Sequence, residues 1–473
     1  MKYSLVLQED KTTIMHDHCF FTNFHFDPEV YYFLYVGELK SYGLNSFLQK
    51  QLSAVVKRKV ECLAVVPDIH DQYYYPNIIV PASASSKQIN SSHRESFRRP
   101  SSVFLKDAVT NIYINKCLDV ILDHQEQLYI YMFESDPAMT FDQRENVFLL
   151  GPDKELAKNL NNKAVQFELM DSRIPMVDYR ICSDLQELLF TAAELRPLWS
   201  DGIFVSRVYS AAGIGSIITR NNTEIEDFFA GDPGPFLMTR FMPHIHDPTV
   251  LAVVANEQDV FIAGIADQRI EGGNRFVGSS WPSVLSADIL QQLSEATCKV
   301  GQEIGRMGYR GIFGCDFIVT DDGQPLFIEV NARKQGTTLE FCYTLEQILG
   351  KGSPNLPELE YHAVLDNAFP TNTVHPPLVS NIKLCWETYN CKLKKQCKTS
   401  GYIPQALHEQ KSFQRVARGR LQKDYLVLEH VGSGFTVHPG TFLGRVVAVG
   451  KRRQDVREGL ALGRQLIDLT RQK

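Results

Sequence analysis

Apolar residues along this chain change their period several times, and each change marks a predicted element. YYFLYVGEL (31–39), ECLAVVPD (61–68), LDVILDH (118–124) and QLYIYMFES (127–135) are short apolar runs that read as strands or buried segments. NSFLQKQLSAVVKRK (45–59) has helical spacing between the first two, and strand–helix–strand predicts an open α/β sheet. Pro81 to Ser102 is polar, Ser-rich and aperiodic, which predicts a disordered segment or a mobile flap. From Gly151 the pattern predicts a helix, a break and a second helix ending before Ile174-Pro175, then a linking helix from Ser183 to Leu195. GIFVSRVYSAAGIGSIITRNNTEIEDFF (202–229) reads as strand, small-residue loop, strand and a helix capped by Asn222 or Thr223. VLAVVANEQDVFIAGIADQRI (250–270) is two strands joined at Asn256 to Asp259. Ile289, Leu290, Leu293, Ala296, Val300 and Ile304 then lie on one face of a helix capped by Ser286.

The most informative pattern follows. Around the turn Asp321 to Gly323, two apolar runs, GIFGCDFIV and PLFIEV, predict a hairpin. Acids interrupt both runs, Asp316 on the first and Glu329 on the second. Asn331 and Arg333 follow Glu329 at steps of two, so all three share a face if the strand continues that far. A single acid on a strand is best read as an exposed edge position. Two facing acids are costly unless they are paired or coordinate a metal. Two carboxylates and an amide oxygen are the hard ligands magnesium prefers, and an arginine beside them suits a phosphate.

Beyond Thr338 the pattern predicts a helix (Leu339 to Leu349), a Pro- and Gly-rich loop, and a tail ending in the strand GRVVAVG (444–450) and a helix from Asp455 to Leu469. The 473 residues allow two to four domains. With 44% hydrophobic and 22% charged residues, the composition is that of a soluble globular protein. The net charge of −6 offers no overall attraction to nucleic acid or to an anionic membrane. No apolar run is long enough to span a bilayer, and MKYSLVLQEDK reads as no signal peptide, so a cytoplasmic location is expected. The 10 cysteines include no CxxC and read as reduced thiols, the trio Cys385, Cys391 and Cys397 not matching a zinc site.

The stretch from Tyr309 to Thr338 resembles the metal-binding signature of the ATP-grasp superfamily, and Gly151 to Gly350 can be followed against that family. The resemblance implies an α/β and α+β multidomain protein: an N-terminal α/β pre-grasp domain (1–150), an ATP-grasp domain (151–350, with a lid at about 197–240) and a small C-terminal domain (351–473). It implies ATP and magnesium as cofactors, with two ions and with manganese as a substitute. Asp316, Glu329 and Asn331 would hold the metal; Arg333 would hold the transferred phosphate or the acyl phosphate, with Arg269 as a second such arginine. Lys163, twelve residues before Pro175, matches a lysine that reaches the ATP phosphates. Gly213, Gly215 and Ser216 lie in the lid loop, where small residues let backbone N–H groups close over phosphates. Arg207 stands where the family has a lysine, and a planar fork is not a point charge. Thr239, Arg240, Phe241 and Met242 form the hinge that meets adenine, with the usual ribose acid absent at Thr239. His244 and His246, by contrast, read as surface-loop residues.

The activity so implied is a carboxylate–amine ligase that activates a carboxylate as an acyl phosphate and forms an amide or peptide bond, releasing ADP and phosphate. Its partners would be small-molecule carboxylates and amines, amino acids among them, with no nucleic acid or membrane and with a homodimer allowed. The alternatives are a biotin-carboxylase-like enzyme that activates bicarbonate and a non-catalytic nucleotide-binding scaffold. Lys334-Gln335-Gly336-Thr337-Thr338 replaces the glutamate–histidine stretch of the carboxylases, and the complete acid–acid–amide–arginine set argues against a scaffold.

Overall fold

Every residue from Tyr31 to Val36 is buried in the computed structural model, which describes residues 19–67, 75–81, 94–96, 101–210, 215–271, 275–350, 352–400 and 409–472. This run is a strand inside a six-stranded sheet, parallel to Val60–Val65 on one side and Leu128–Met132 on the other. Full burial on both faces is why the run is continuously apolar and does not alternate. Asn45–Val56 is the expected crossover helix. Of the two readings left open for residues 118–124, the buried segment holds and the strand does not: residues 118–122 are the end of a helix, Ile112–Leu122. Ile114, Cys117, Leu118 and Ile121 are buried at helical spacing, and the Asn111 side chain caps the start by accepting from the Ile114 N–H.

The Ser-rich stretch is also more ordered than expected at two points. Arg94–Ser96 forms a strand parallel to Phe435–Val437, and Ser101–Thr110 is a helix; residues 82–93 and 97–100 lie outside the described part. A four-stranded sheet carries the lid, with Ile203–Arg207 between Ser216–Thr219 and Phe236–Arg240. The lid helix Asn222–Phe228 is capped one residue earlier than expected, by Asn221, whose side chain accepts from the Thr223 N–H.

The central sheet has nine strands among the described residues. Its strand Pro248–Val254 shows how it is covered on both faces. Leu251 and Val253 pack with Phe341 and Tyr343 of the helix Thr338–Ile348. Val250, Ala252 and Val254 pack with Leu290, Leu293, Val300 and Ile304 of the helix Ala287–Arg306, capped by Ser286 as expected. The tail, expected as a small C-terminal domain, contributes Cys385–Lys392, Phe442–Gly450 and Lys423–Leu428 to this same sheet. The junction depends on Gly278, where a Cβ would stand 2.0 Å from the Thr388 carbonyl oxygen.

Candidate active site

The predicted hairpin is present as Gly311–Thr320 and Pro325–Asn331, with Asp316 directly opposite Glu329 and Gly314 opposite Asn331. Cross-strand partners share a face, so both acids and the amide meet there. The strand ends at Asn331, sooner than the alternation to Arg333 predicts. The chain turns, with the Arg333 N–H donating to the Asn331 carbonyl at 2.7 Å. The guanidinium then folds back, donating through Nη2 to Asn331 Oδ1 at 2.9 Å, and lies over the Phe133 ring with Glu134 3.8 Å from its Nε. Arg333 thus reaches the site through a turn, not through strand alternation.

Asp316 accepts from Thr249 Oγ1 at 2.6 Å, from Asn331 Nδ2 at 2.9 Å and from Gln335 Nε2 at 3.3 Å. Burial and the facing Glu329 push its carboxyl above the usual carboxylate range. Two acids held in opposition this way, with an amide oxygen two residues on, supply the hard oxygen donors that suit a divalent cation.

Lys163 begins the helix Lys163–Met170, and its Nζ lies 2.6 Å from Glu329 Oε2. Its placement is set by Gln166, whose amide donates to the Val330 carbonyl at 2.7 Å and accepts from the Val330 N–H at 2.8 Å. That bidentate pair ties the helix to the second hairpin strand. Behind the site, Lys334 and Glu360 form a buried ion pair at 2.7 Å, with the Lys334 ammonium 4.2 Å from the centre of the Tyr131 ring. Burial pulls the Lys334 pKa down.

Lys163, Asp316, Glu329, Asn331 and Arg333 line a cavity of about 280 Å³, and Thr239, Arg240, Phe241, Met242 and Ser216 line it as well. Two sequence-predicted residues with described side chains do not. Phe204 and Ser206 face the cavity, while Ile203 and Val205 enter the lid core. Arg207 follows the latter alternation and pairs with Asp232. Arg269 lies between the cavity-lining Gln268 and Ile270 and donates to Glu387 Oε2 at 2.9 Å. Gly215 has φ +77° beside the Arg207 stem, and Gly213 lies outside the described residues.

The structure also adds residues that the chain pattern did not reveal. His244 is no surface-loop residue: it belongs to the short strand His244–His246 and lines the cavity. Its Nδ1 lies 2.7 Å from the Met242 carbonyl and its Nε2 3.0 Å from Asp247 Oδ1, and the latter bond raises its pKa. Asp247 and Gln268 line the cavity too. No spacing rule marks them, because the fold alone brings the hinge exit over the hairpin. Among the described residues no group of three or more His, Cys, Asp or Glu side chains that could hold a metal ion is present, so the hairpin offers two acids and an amide, and no helix is long and apolar enough to cross a membrane.

Parts of this chain resemble known proteins. Residues 194–337 match the family model described as an ATP-grasp domain. The chain is 22% identical over 238 residues to a [butirosin acyl-carrier protein]–L-glutamate ligase of Niallia circulans, covering 49% of this chain and 57% of that protein. It is 26% identical over 215 residues to a formate-dependent phosphoribosylglycinamide formyltransferase of Chlorobaculum tepidum, covering 43% and 50%. The chain therefore spans about half the length of the curated relatives it matches. Among solved structures, biotin carboxylase of Campylobacter jejuni superposes with a TM-score of 0.63 at 14% identity, over 92% of this chain and 91% of the other. Carboxyaminoimidazole ribonucleotide synthase of Aspergillus clavatus gives 0.55 at 14% identity, over 94% and 100%. Both show a shared fold.

Proposed function

We propose that this chain, a member of the ATP-grasp superfamily, is an ATP-dependent ligase that joins a carboxylate to an amine through an acyl phosphate. One observation carries the reading: Asp316, Glu329, Asn331, Lys163 and Arg333 converge in the wall of a cavity that the hinge residues also line. Relatives named as ligases of L-glutamate support a substrate of amino-acid type.

In this reading Phe241 and Met242 border the adenine, and Asp247 supplies the ribose acid that Thr239 lacks. Asp316, Glu329 and Asn331 would hold magnesium, which neutralises charge on the phosphates. We extend the proposal to two ions, with manganese able to replace them. Lys163 and Arg333 add fixed cationic charge where the transferring phosphoryl group develops negative charge. The carboxylate oxygen attacks the γ-phosphorus, the bond to the β-phosphate oxygen breaks, and ADP leaves with that electron pair. The amine nitrogen then attacks the acyl carbon and a C–N bond forms. The carbon–oxygen bond to phosphate breaks, phosphate leaves, and the nitrogen's proton passes to phosphate or water. A cytoplasmic enzyme, with room for a homodimer, completes the reading.

The test is product analysis with ATP, magnesium, pooled L-amino acids and simple carboxylic acids. ADP and phosphate that depend on both a carboxylate and an amine are expected. AMP and pyrophosphate would sink the acyl-phosphate mechanism.

A further inference from the structure

Several buried side-chain atoms that lack any partner belong to cavity-lining residues. Three of these, Ser279 Oγ, Gln335 Oε1 and Thr337 Oγ1, sit on residues only 2%, 8% and 3% exposed. A buried polar atom without a hydrogen bond is costly, so three in one cavity mark a place kept for a ligand. They are linked to Asp316 through the sheet and its hydrogen bonds. Ser279 is opposite Gln268 in the sheet, the Gln268 and Gln335 side chains both hydrogen-bond Asp316, and Thr337 is two residues beyond Gln335.

The orientation of the Gln335 amide follows from its partners. Thr249 gives its hydroxyl proton to Asp316, leaving only acceptors for Gln335 at 2.9 Å and 3.3 Å. The NH₂ must therefore face them, and Oε1 is the free end. Gly314 keeps the side chain there, since a Cβ would stand 2.1 Å from the Gln335 amide.

We propose that Ser279, Gln335 and Thr337 form the subsite for the attacking amine, an inference that rests on the ligase reading above. Oε1 can only accept, so the ligand it suits carries a donor, which an amine offers as N–H; an ionised carboxylate has none and falls to Arg333. All three groups are neutral. A neutral acceptor orients an N–H without the Coulombic pull by which a carboxylate would favour the unreactive ammonium.

Hydroxylamine at high concentration serves as a small surrogate that captures the acyl phosphate as a hydroxamate, and pooled L-amino acids serve as the amines. Ser279→Ala combined with Thr337→Val is expected to raise the KM for the amine about tenfold or more. The KM for ATP and the hydroxamate rate should stay within about twofold. Thr337→Ser, which keeps the hydroxyl, should behave as wild type and separates hydroxyl loss from misfolding. An unchanged amine KM, or a rise in the carboxylate KM instead, overturns the subsite while leaving the ligase reading intact. A wild-type protein that forms no hydroxamate from any carboxylate sinks the ligase reading, and this inference with it.

Discussion

The arginine after the hairpin and the arginine of the lid strand have opposite surroundings, though both were expected at the nucleotide site, Arg333 on the transferred phosphate and Arg207 in place of an ATP-binding lysine. Arg333 is held against Asn331, Phe133 and Glu134 at the cavity wall. Arg207 is half-exposed, pairs with Asp232 and lies on the face of its strand that turns away from the cavity. The difference lies in what each side chain is anchored to. The hairpin end is fastened by a buried ion pair and by side chains from other elements, whereas the lid strand can satisfy its arginine locally. Catalytic charge has to be fixed before the reaction, so only the first arrangement is preorganised.

The largest effect should come from unfastening the hairpin end. Lys334→Met leaves the Glu360 carboxylate buried without its cation, a loss of about 3–5 kcal/mol of stability. Chemical denaturation measures it, and adding Glu360→Gln should recover part of the loss. A small effect would mean that the ion pair does not anchor the site. Next come Glu329→Gln and Arg333→Ala, expected to lower kcat by on the order of 10²- to 10³-fold while the unfolding midpoint stays near wild type. Retained turnover in Glu329→Gln would favour a scaffold over an enzyme. Asp247→Asn should be milder, raising the KM for ATP about tenfold through one weakened hydrogen bond to ribose. An unaltered KM would return Asp247 to the role of a partner for His244.

How much of this was legible beforehand divides along the same line. The hairpin, its opposed acids, Asn331 and the helix capped by Ser286 were all readable because local period and turn chemistry determine them. Lys163 was readable only through the resemblance, since a lone lysine carries no pattern. Residues 118–124 stayed open between strand and buried segment because a short apolar run looks alike in a strand and in a buried helix, and Asn111 as the cap was overlooked. Asp247, Gln268 and His244 could not be found in the chain, because it is sheet pairing across distant strands that brings them to the cavity. Arg269 was a plausible contact by position, but it neighbours Glu387 of the tail strand, a partner that sequence distance conceals.

The smallest expected effect is the one that tests the contrast most directly. Arg207→Gln removes a half-exposed charge whose partner, Asp232, is on the same lid, so stability should change by no more than about 1 kcal/mol. If Arg207 stays on its present face during turnover, the KM for ATP and kcat should each remain within about threefold, because no transition-state contact is removed. The other outcome is equally informative. A fall in kcat near that of Arg333→Ala would mean that lid closure breaks the Asp232 pair and swings the guanidinium into the cavity. Asp232→Asn would then separate the cases: releasing Arg207 should raise kcat/KM if the pair restrains it, and should leave turnover unchanged if the arginine only holds the lid together.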